Sequence, residues 1–133
     1  MASELDLANE LLADARLLLD NGGYRSSASR SYYAAYHACI ALLESLGLRP
    51  SNFIGRDRRP AKRWEHGIVI KQVTTNLRIV TLLTQGLASP LRWMYSLRLR
   101  GDYRFDLSVS SYSAQSSYEM AKQMVAKVEE LIT

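Results

Sequence analysis

The residues with the most evident chemical potential lie in the stretch Arg98-Leu99-Arg100-Gly101-Asp102-Tyr103. Cleavage of a phosphodiester without a metal needs a base for the attacking hydroxyl, an acid for the leaving oxygen and a cation for the charge on phosphorus. Arg98 could supply the cation, Asp102 could accept a proton, and Tyr103 could donate one. We therefore take Arg98, Asp102 and Tyr103 as candidate catalytic residues.

This set lacks the side chain best suited to proton transfer. Histidine titrates near neutrality, whereas an ordinary carboxylate is a weak base and a phenol with a pKa near 10 is a poor acid. The alternative is structural: Arg98 and Asp102, four residues apart, would form an ion pair that fixes a turn, with the Tyr103 ring packed below it. Phosphate binding by Arg98, Arg100 and Arg104 is compatible with either interpretation.

The middle of the chain is strongly basic. Six cations lie between Arg49 and Arg63 against one acid, Asp57. Proline and glycine residues within 48–62 predict a loop that presents these cations to solvent. Arginine outnumbers lysine by thirteen to four in the chain, which favours bidentate phosphate or carboxylate contacts. The candidate RNA- or phosphate-binding residues are Arg100, Arg104, Arg58, Arg59, Lys62, Arg63 and His66.

The two histidines invite different interpretations. His37 lies within a helical apolar pattern, which is typical of a core or interface histidine. His66 follows the basic loop, where an exposed imidazole could bind phosphate or touch a partner, or simply occupy the surface. Two distant histidines and the single Cys39 predict no metal site, and no motif indicates a cofactor. Trp64 and Trp93 could stack on bases or anchor the edge of the core.

Apolar spacing predicts helices throughout the chain. The first follows Ser3 and stops at 21–23, the second runs from about 24 to 46, and the third from about 63 to 85. Ser89-Pro90 opens a short helix that ends near Gly101, a turn spans 102–110, and a long helix closes the chain. The predicted architecture is all-α: an up-down bundle of four main antiparallel helices plus one short helix, in a single domain over 1–133.

Charge and composition indicate the cellular compartment of the protein. The net charge is +4, and no apolar run approaches the roughly 18 residues that a membrane span requires. The first residues are acidic, unlike the basic start of a secretory signal. The lone cysteine excludes an intramolecular disulfide and fits a reducing compartment. We expect a cytoplasmic protein with no membrane partner.

The order of motifs resembles the HEPN family of small helical proteins. The similarity lies in Tyr32-Tyr33-Ala34-Ala35-Tyr36-His37-Ala38 on the second helix, in His66-Gly67 at the start of the third, and in Arg98-x-x-x-Asp102-Tyr103 before the last. Ribonuclease members of the family carry an arginine, four to six residues and a histidine at this last place. Here aspartate and tyrosine stand instead. Arg30 and His37 have the arginine-to-histidine spacing of those ribonucleases, but they lie on the second predicted helix and not before the last one.

The resemblance implies a homodimer, a neighbouring minimal nucleotidyltransferase, and a toxin or a ribonuclease that needs no metal. Two functions follow. The first is an RNA- or nucleotide-binding domain of a prokaryotic toxin–antitoxin or defence system, to which metal-independent ribonuclease activity would be an addition. The alternative is a non-catalytic dimeric module that docks a nucleotidyltransferase, which could adenylylate Tyr103.

Overall fold

The computed structural model describes residues 3–84, 86–103 and 108–133. Their regular structure is helical apart from one isolated bridge between Ile54 and Pro60, so the all-α prediction is confirmed. The side chain of Tyr103 and the whole of Arg104, both singled out from the sequence, lie outside this description. The helices are α1 (Glu4–Asp20), α2 (Tyr24–Ser45), α3 (His66–Thr75), α4 (Leu77–Leu83), α5 (Leu91–Tyr103) and α6 (Ser111–Ile132), with a 3-10 turn at Pro50–Asn52.

The first two helices form a close hairpin. Ser3 caps α1 by accepting the Asp6 amide hydrogen, and a three-residue connection with Gly22 at φ +78° leads into α2. Small buried residues let the two backbones approach, and Ser27 Oγ donates a hydrogen bond of 2.7 Å to the Ala15 carbonyl. This contact fixes the register of α2 against α1.

Helix α2 is the central helix of the bundle. It packs against α1, α5 and α6, and it is buried on several sides along most of its length. Its core residues meet apolar side chains of α3, α5 and α6, among them Val69, Met94, Val125 and Val128. A helix in this position presents its side chains to most of the other helices.

The helix predicted from about 63 to 85 is two helices, so that prediction was wrong in detail. Helix α3 begins at His66, and the chain leaves helical geometry at Asn76, where ψ is 112°. The Asn76 side chain accepts the Arg78 amide hydrogen and so caps α4. Thr74 and Thr75 also bond back to helix carbonyls, which weakens a continuous helix at this point.

Helix α5 extends further than the sequence suggests, reaching Tyr103 instead of ending near Gly101. The end of α5 has a partner on α2: Arg25 Nη1 donates a hydrogen bond of 2.6 Å to the Gly101 carbonyl. A cation at the carbonyl end of a helix offsets the partial negative charge there. Asp102 therefore belongs to the helix and not to the predicted turn.

The predicted loop 48–62 contains an ordered turn. The Gly55 amide donates to the Arg59 carbonyl at 2.7 Å, and the Ala61 amide donates to the Phe53 carbonyl at 2.9 Å. Arg58 adopts a φ of +65°, in the left-handed region. We call residues 53–61 the basic turn. In the part of the chain that is described, no helix is long and apolar enough to cross a membrane.

Candidate functional site

An open cleft of about 1010 Å³ lies between the basic turn, the start of α3 and one face of α5. Three exposed cations line it, Arg56, Lys62 and Arg63. Its other lining residues are Asp57, Ala61, Trp64, Glu65, His66, Gly67 and Tyr95. The cleft therefore combines a cationic rim with aromatic walls.

His66 lies in the wall of this cleft. Its Nδ1 is 2.7 Å from the hydroxyl of Tyr32, and its ring stacks on Tyr36 and Tyr95, with centroids 4.5 and 5.0 Å away. The residue is half-buried and not fully exposed. Two helices, α2 and α5, hold the ring in place.

The surroundings of His66 favour its neutral form. Partial burial lowers the pKa of His66 below its ordinary value, and electrostatic interaction with Arg98 and, to a smaller extent, with His37 lowers it further. Burial also raises the pKa of Tyr36 to about 12 and that of Tyr32 even more, so both hydroxyls keep their protons near neutrality. At pH 7 the site holds an uncharged imidazole next to fixed positive charge.

Arg98 lies largely inside the bundle, with 13% of its side chain exposed. Its Nε is 2.9 Å from Asp102 Oδ2, so the two charges form the ion pair that their spacing predicts. Its guanidinium carbon lies 5.1 Å from the centre of the Tyr33 ring, in a cation–π contact. Tyr33 also meets His66, with 6.0 Å between ring centroids. Arg98 thus lies behind the cleft.

The structure does not bring Arg98 and Arg100 to one face within the chain. Arg100 is exposed, and two helical steps turn a side chain by about 200° relative to Arg98. Lys62 and Arg63 are in the cleft lining, whereas Arg58 and Arg59 are exposed on the adjacent basic turn. The cations that surround the cleft therefore come mainly from the loop before α3.

Trp64 fixes that loop to the bundle. Its indole Nε1 donates to Glu44 Oε2 at 3.3 Å, and its carbonyl accepts a hydrogen bond of 2.6 Å from the Tyr36 hydroxyl. The Arg56 amide in turn donates to Glu65 Oε1 at 3.0 Å. Trp64 acts as an anchor and also lines the cleft, while Trp93 is exposed outside the lining.

Sequence reasoning missed four contributors to the site: Arg56, Tyr32, Tyr36 and Tyr95. The tyrosine-rich run on α2 was the available signal, but helical spacing marks such residues equally well as core. His37 is separate from the cleft lining, and its Nδ1 lies 2.6 Å from Glu4 Oε2. Among the residues described, no three His, Cys, Asp or Glu side chains are grouped as metal ligands would be.

The fold and these motifs agree with the family comparison. Residues 3–133 match the HEPN domain, so the chain belongs to the HEPN family, as its motifs indicate. It is 26% identical over 128 residues to "Putative toxin MJ0605" of Methanocaldococcus jannaschii, covering 96% of this chain and 85% of that protein. A shorter match, 43% identical over 51 residues, links 38% of this chain to 36% of "UPF0332 protein PH1297" of Pyrococcus horikoshii.

Proposed function

We propose that this chain is an RNA-binding HEPN protein of a prokaryotic toxin–antitoxin or defence system, and that single-stranded RNA occupies the cleft. The observation that carries the proposal is the set of exposed cations, Arg56, Lys62 and Arg63, around a cleft walled by aromatic rings. The toxin assignment draws on the relative from Methanocaldococcus jannaschii, whose name describes it as a toxin and whose match covers most of both chains.

A single strand suits the chemistry of this cleft better than a duplex. Exposed arginine and lysine side chains neutralise phosphates, and Tyr95 and Trp64 offer ring faces on which unpaired bases can stack. Base stacking on aromatic residues is worth about 1–3 kcal/mol per base. Duplex bases are already stacked on each other, so a double-stranded ligand would gain only from the cations.

Salt-dependent binding tests this proposal. Anisotropy of a labelled single-stranded RNA should give a log–log slope against salt of roughly −0.7 for each phosphate neutralised. The double variant Lys62→Gln/Arg63→Gln should weaken binding and reduce the slope by up to about 1.4. The variant Lys71→Gln/Arg78→Gln loses the same two charges from exposed positions outside the cleft and serves as control. Equal affinity of the two variants would contradict the proposal.

A second candidate function is a dimeric module that docks a nucleotidyltransferase. It is favoured by the state of Arg98, which is largely buried and engaged by Asp102, so that the motif arginine already has an internal partner. In that case the exposed basic turn contacts an acidic protein surface. Tyr103, at the last position of α5, is the candidate acceptor of an adenylyl group.

Adenylylation distinguishes the second candidate from the first. The purified chain is incubated with ATP, magnesium and a minimal nucleotidyltransferase encoded beside it, and its mass is measured. The docking function predicts a gain of one adenylyl group that Tyr103→Phe abolishes, and retention of the enzyme on immobilised chain. An unchanged mass without retention would reject it.

A further inference from the structure

We propose that RNA binding to the cleft is coupled to the uptake of a proton by His66, so that the chain binds RNA more tightly as the pH falls. The inference rests on the proposed RNA-binding function and adds a form of regulation to it. Histidine is the only side chain whose ordinary pKa lies between pH 5 and 8, and His66 is the one histidine among the described residues that line the cleft. Its protonation adds a positive charge to the wall of the proposed RNA site.

The contacts of His66 accommodate both of its protonation states. A hydroxyl group both donates and accepts hydrogen bonds, so the Tyr32 hydroxyl, 2.7 Å from Nδ1, can donate to the neutral ring or accept from the protonated one. The imidazole is also stacked on the rings of Tyr36 and Tyr95, and a cation is attracted to the face of an aromatic ring. The ring can therefore gain a proton without a change in the packing of the cleft wall.

Positive charge opposes this protonation in the unliganded protein. Arg56, Lys62 and Arg63 line the same cleft, and electrostatic interaction with Arg98 adds to partial burial in lowering the pKa of His66. The titratable or charged groups around the imidazole are Tyr32, Tyr33, Tyr36 and His37 of α2, Tyr95 and Arg98 of α5, and Arg56, Asp57, Lys62, Arg63 and Glu65 of the preceding loop. Without an anionic ligand, the neutral imidazole predominates at pH 7.

The two carboxylates of the lining are engaged elsewhere. Asp57 Oδ1 accepts the Arg59 amide hydrogen, and Glu65 Oε1 accepts the Arg56 amide hydrogen, each at 3.0 Å. Among the residues that the structure describes, neither of them forms an ion pair with His66. A phosphate group of bound RNA would therefore supply the negative charge that a protonated His66 otherwise lacks.

An anionic ligand reverses the electrostatic balance at the imidazole. Phosphate groups in the cleft offset the surrounding cations and attract the imidazolium, so RNA should raise the pKa of His66 above its value in the free protein. Binding and protonation are linked, so protonation strengthens RNA binding by the same factor. The gain in affinity is complete below the pKa of the free protein, and it is lost as the pH rises through the pKa of the complex. One charge next to a phosphate predicts a change of about fivefold or more.

Anisotropy of a labelled oligouridylate, measured from pH 5 to 8 at constant ionic strength, tests this coupling. Uracil has no group that titrates in this range, and an oligomer without a terminal phosphate avoids the titration of a phosphomonoester near pH 6. The unchanged protein should bind about fivefold or more tightly at pH 5 than at pH 8. His66→Asn keeps an amide near the position of Nδ1 but cannot take up the proton. Its affinity should change by less than about twofold over the same range.

The second histidine of the chain supplies a matched control. His37 pairs with Glu4 and does not line the cleft, so His37→Asn should keep the pH dependence of the unchanged protein. An NMR titration of the unchanged protein, with and without saturating oligouridylate, gives an independent measurement that needs no variant. The pKa of His66 should be higher in the complex. The pKa difference and the ratio of affinities must agree, because one coupling free energy determines both.

Three outcomes would overturn the inference. They are an affinity of the unchanged protein that is constant between pH 5 and 8, the same pH dependence in His66→Asn as in the unchanged protein, and a His66 pKa that RNA does not raise. Each of these leaves the proposed RNA-binding function standing. Failure of the unchanged protein to bind RNA at every pH would instead reject the proposed function and the inference with it.

Discussion

Arg98 occupies an unusual place for a residue suspected of binding phosphate. It is held by Asp102 on its own helix and by the Tyr33 ring of α2, and its charge acts on His66. An arginine placed in this way contributes mainly through its electric field. Arg98 is thus one of the groups that lower the pKa of His66, after the burial of the imidazole itself.

Removal of this charge should be visible in the titration of His66. In Arg98→Ala the pKa of His66 should rise, because one of the positive charges that lowers it is gone. Arg100→Ala, which removes an exposed arginine two positions along the same helix, should leave that pKa unchanged. An NMR titration of the imidazole measures both. A His66 pKa that falls or stays constant in Arg98→Ala would contradict this account.

Neighbouring tyrosines should differ strongly in their contribution to stability. Tyr32 is fully buried in the core, whereas Tyr33 is half-buried beside Arg98. We expect Tyr32→Ala to lower the free energy of unfolding by about 3–5 kcal/mol and Tyr33→Ala by about half as much or less. Urea denaturation of the two variants gives the comparison. A larger loss for Tyr33→Ala would show that the central helix is oriented differently.

At the scale of elements, single side chains tie the basic turn to α3 and stabilise the break between α3 and α4. The turn is tied to the start of α3 by the Arg56 amide and Glu65. The break is stabilised by Asn76, which caps α4. In each case one side chain accepts a hydrogen bond from a backbone amide that would otherwise bond to water.

Loss of the Glu65 carboxylate should loosen the basic turn. Glu65→Ala removes the acceptor of the Arg56 amide, and a hydrogen bond of this kind is worth about 1 kcal/mol, so hydrogen exchange at that amide should speed up about fivefold. Glu65→Gln keeps an acceptor oxygen at the same place and should exchange nearly as slowly as the unchanged protein. Identical exchange in Glu65→Ala and Glu65→Gln would mean that other contacts hold the turn.

Two substitutions of the capping residue Asn76 should lower the free energy of unfolding by different amounts. Asn76→Ala should lower the free energy of unfolding by about 1 kcal/mol, since the Arg78 amide loses its acceptor. Asn76→Asp retains a capping oxygen and should be nearly neutral. Thermal unfolding of both variants measures the effect, and stabilisation by alanine would indicate that α3 and α4 prefer to join.

At the scale of the whole molecule, charge is unevenly distributed. The first helix is mainly acidic, while the loop before α3 carries most of the exposed cations of the site. Such a distribution orients an anionic ligand towards one side of the bundle and raises its association rate at low salt. The same basic side is the surface that an acidic protein partner would meet.

Family membership leads us to expect a homodimer in solution. Light scattering should then give a mass of about twice the 15.0 kDa of the chain, unchanged on dilution through the micromolar range. A mass of one chain at every concentration would contradict the dimer and would mean that the cleft of a single copy forms the whole site.

The sequence alone predicted those features that depend on local spacing. A period of 3.6 residues marked the helices and their buried faces, and the ion pair of Arg98 with Asp102 followed from a separation of four. Its motifs also identified the family. The prediction from sequence failed at Asn76, where the chain could either cap a new helix or continue the previous one. The local composition is compatible with both conformations.

Only the tertiary structure revealed the neighbourhood of His66. Tyr32, His66 and Tyr95 come from three helices and lie more than twenty positions apart along the chain, and no periodicity relates one helix to another. Their proximity is set by how buried faces pack around α2. The contacts of His66 could therefore be found only in space, because they depend on distances between atoms and not on distance along the sequence.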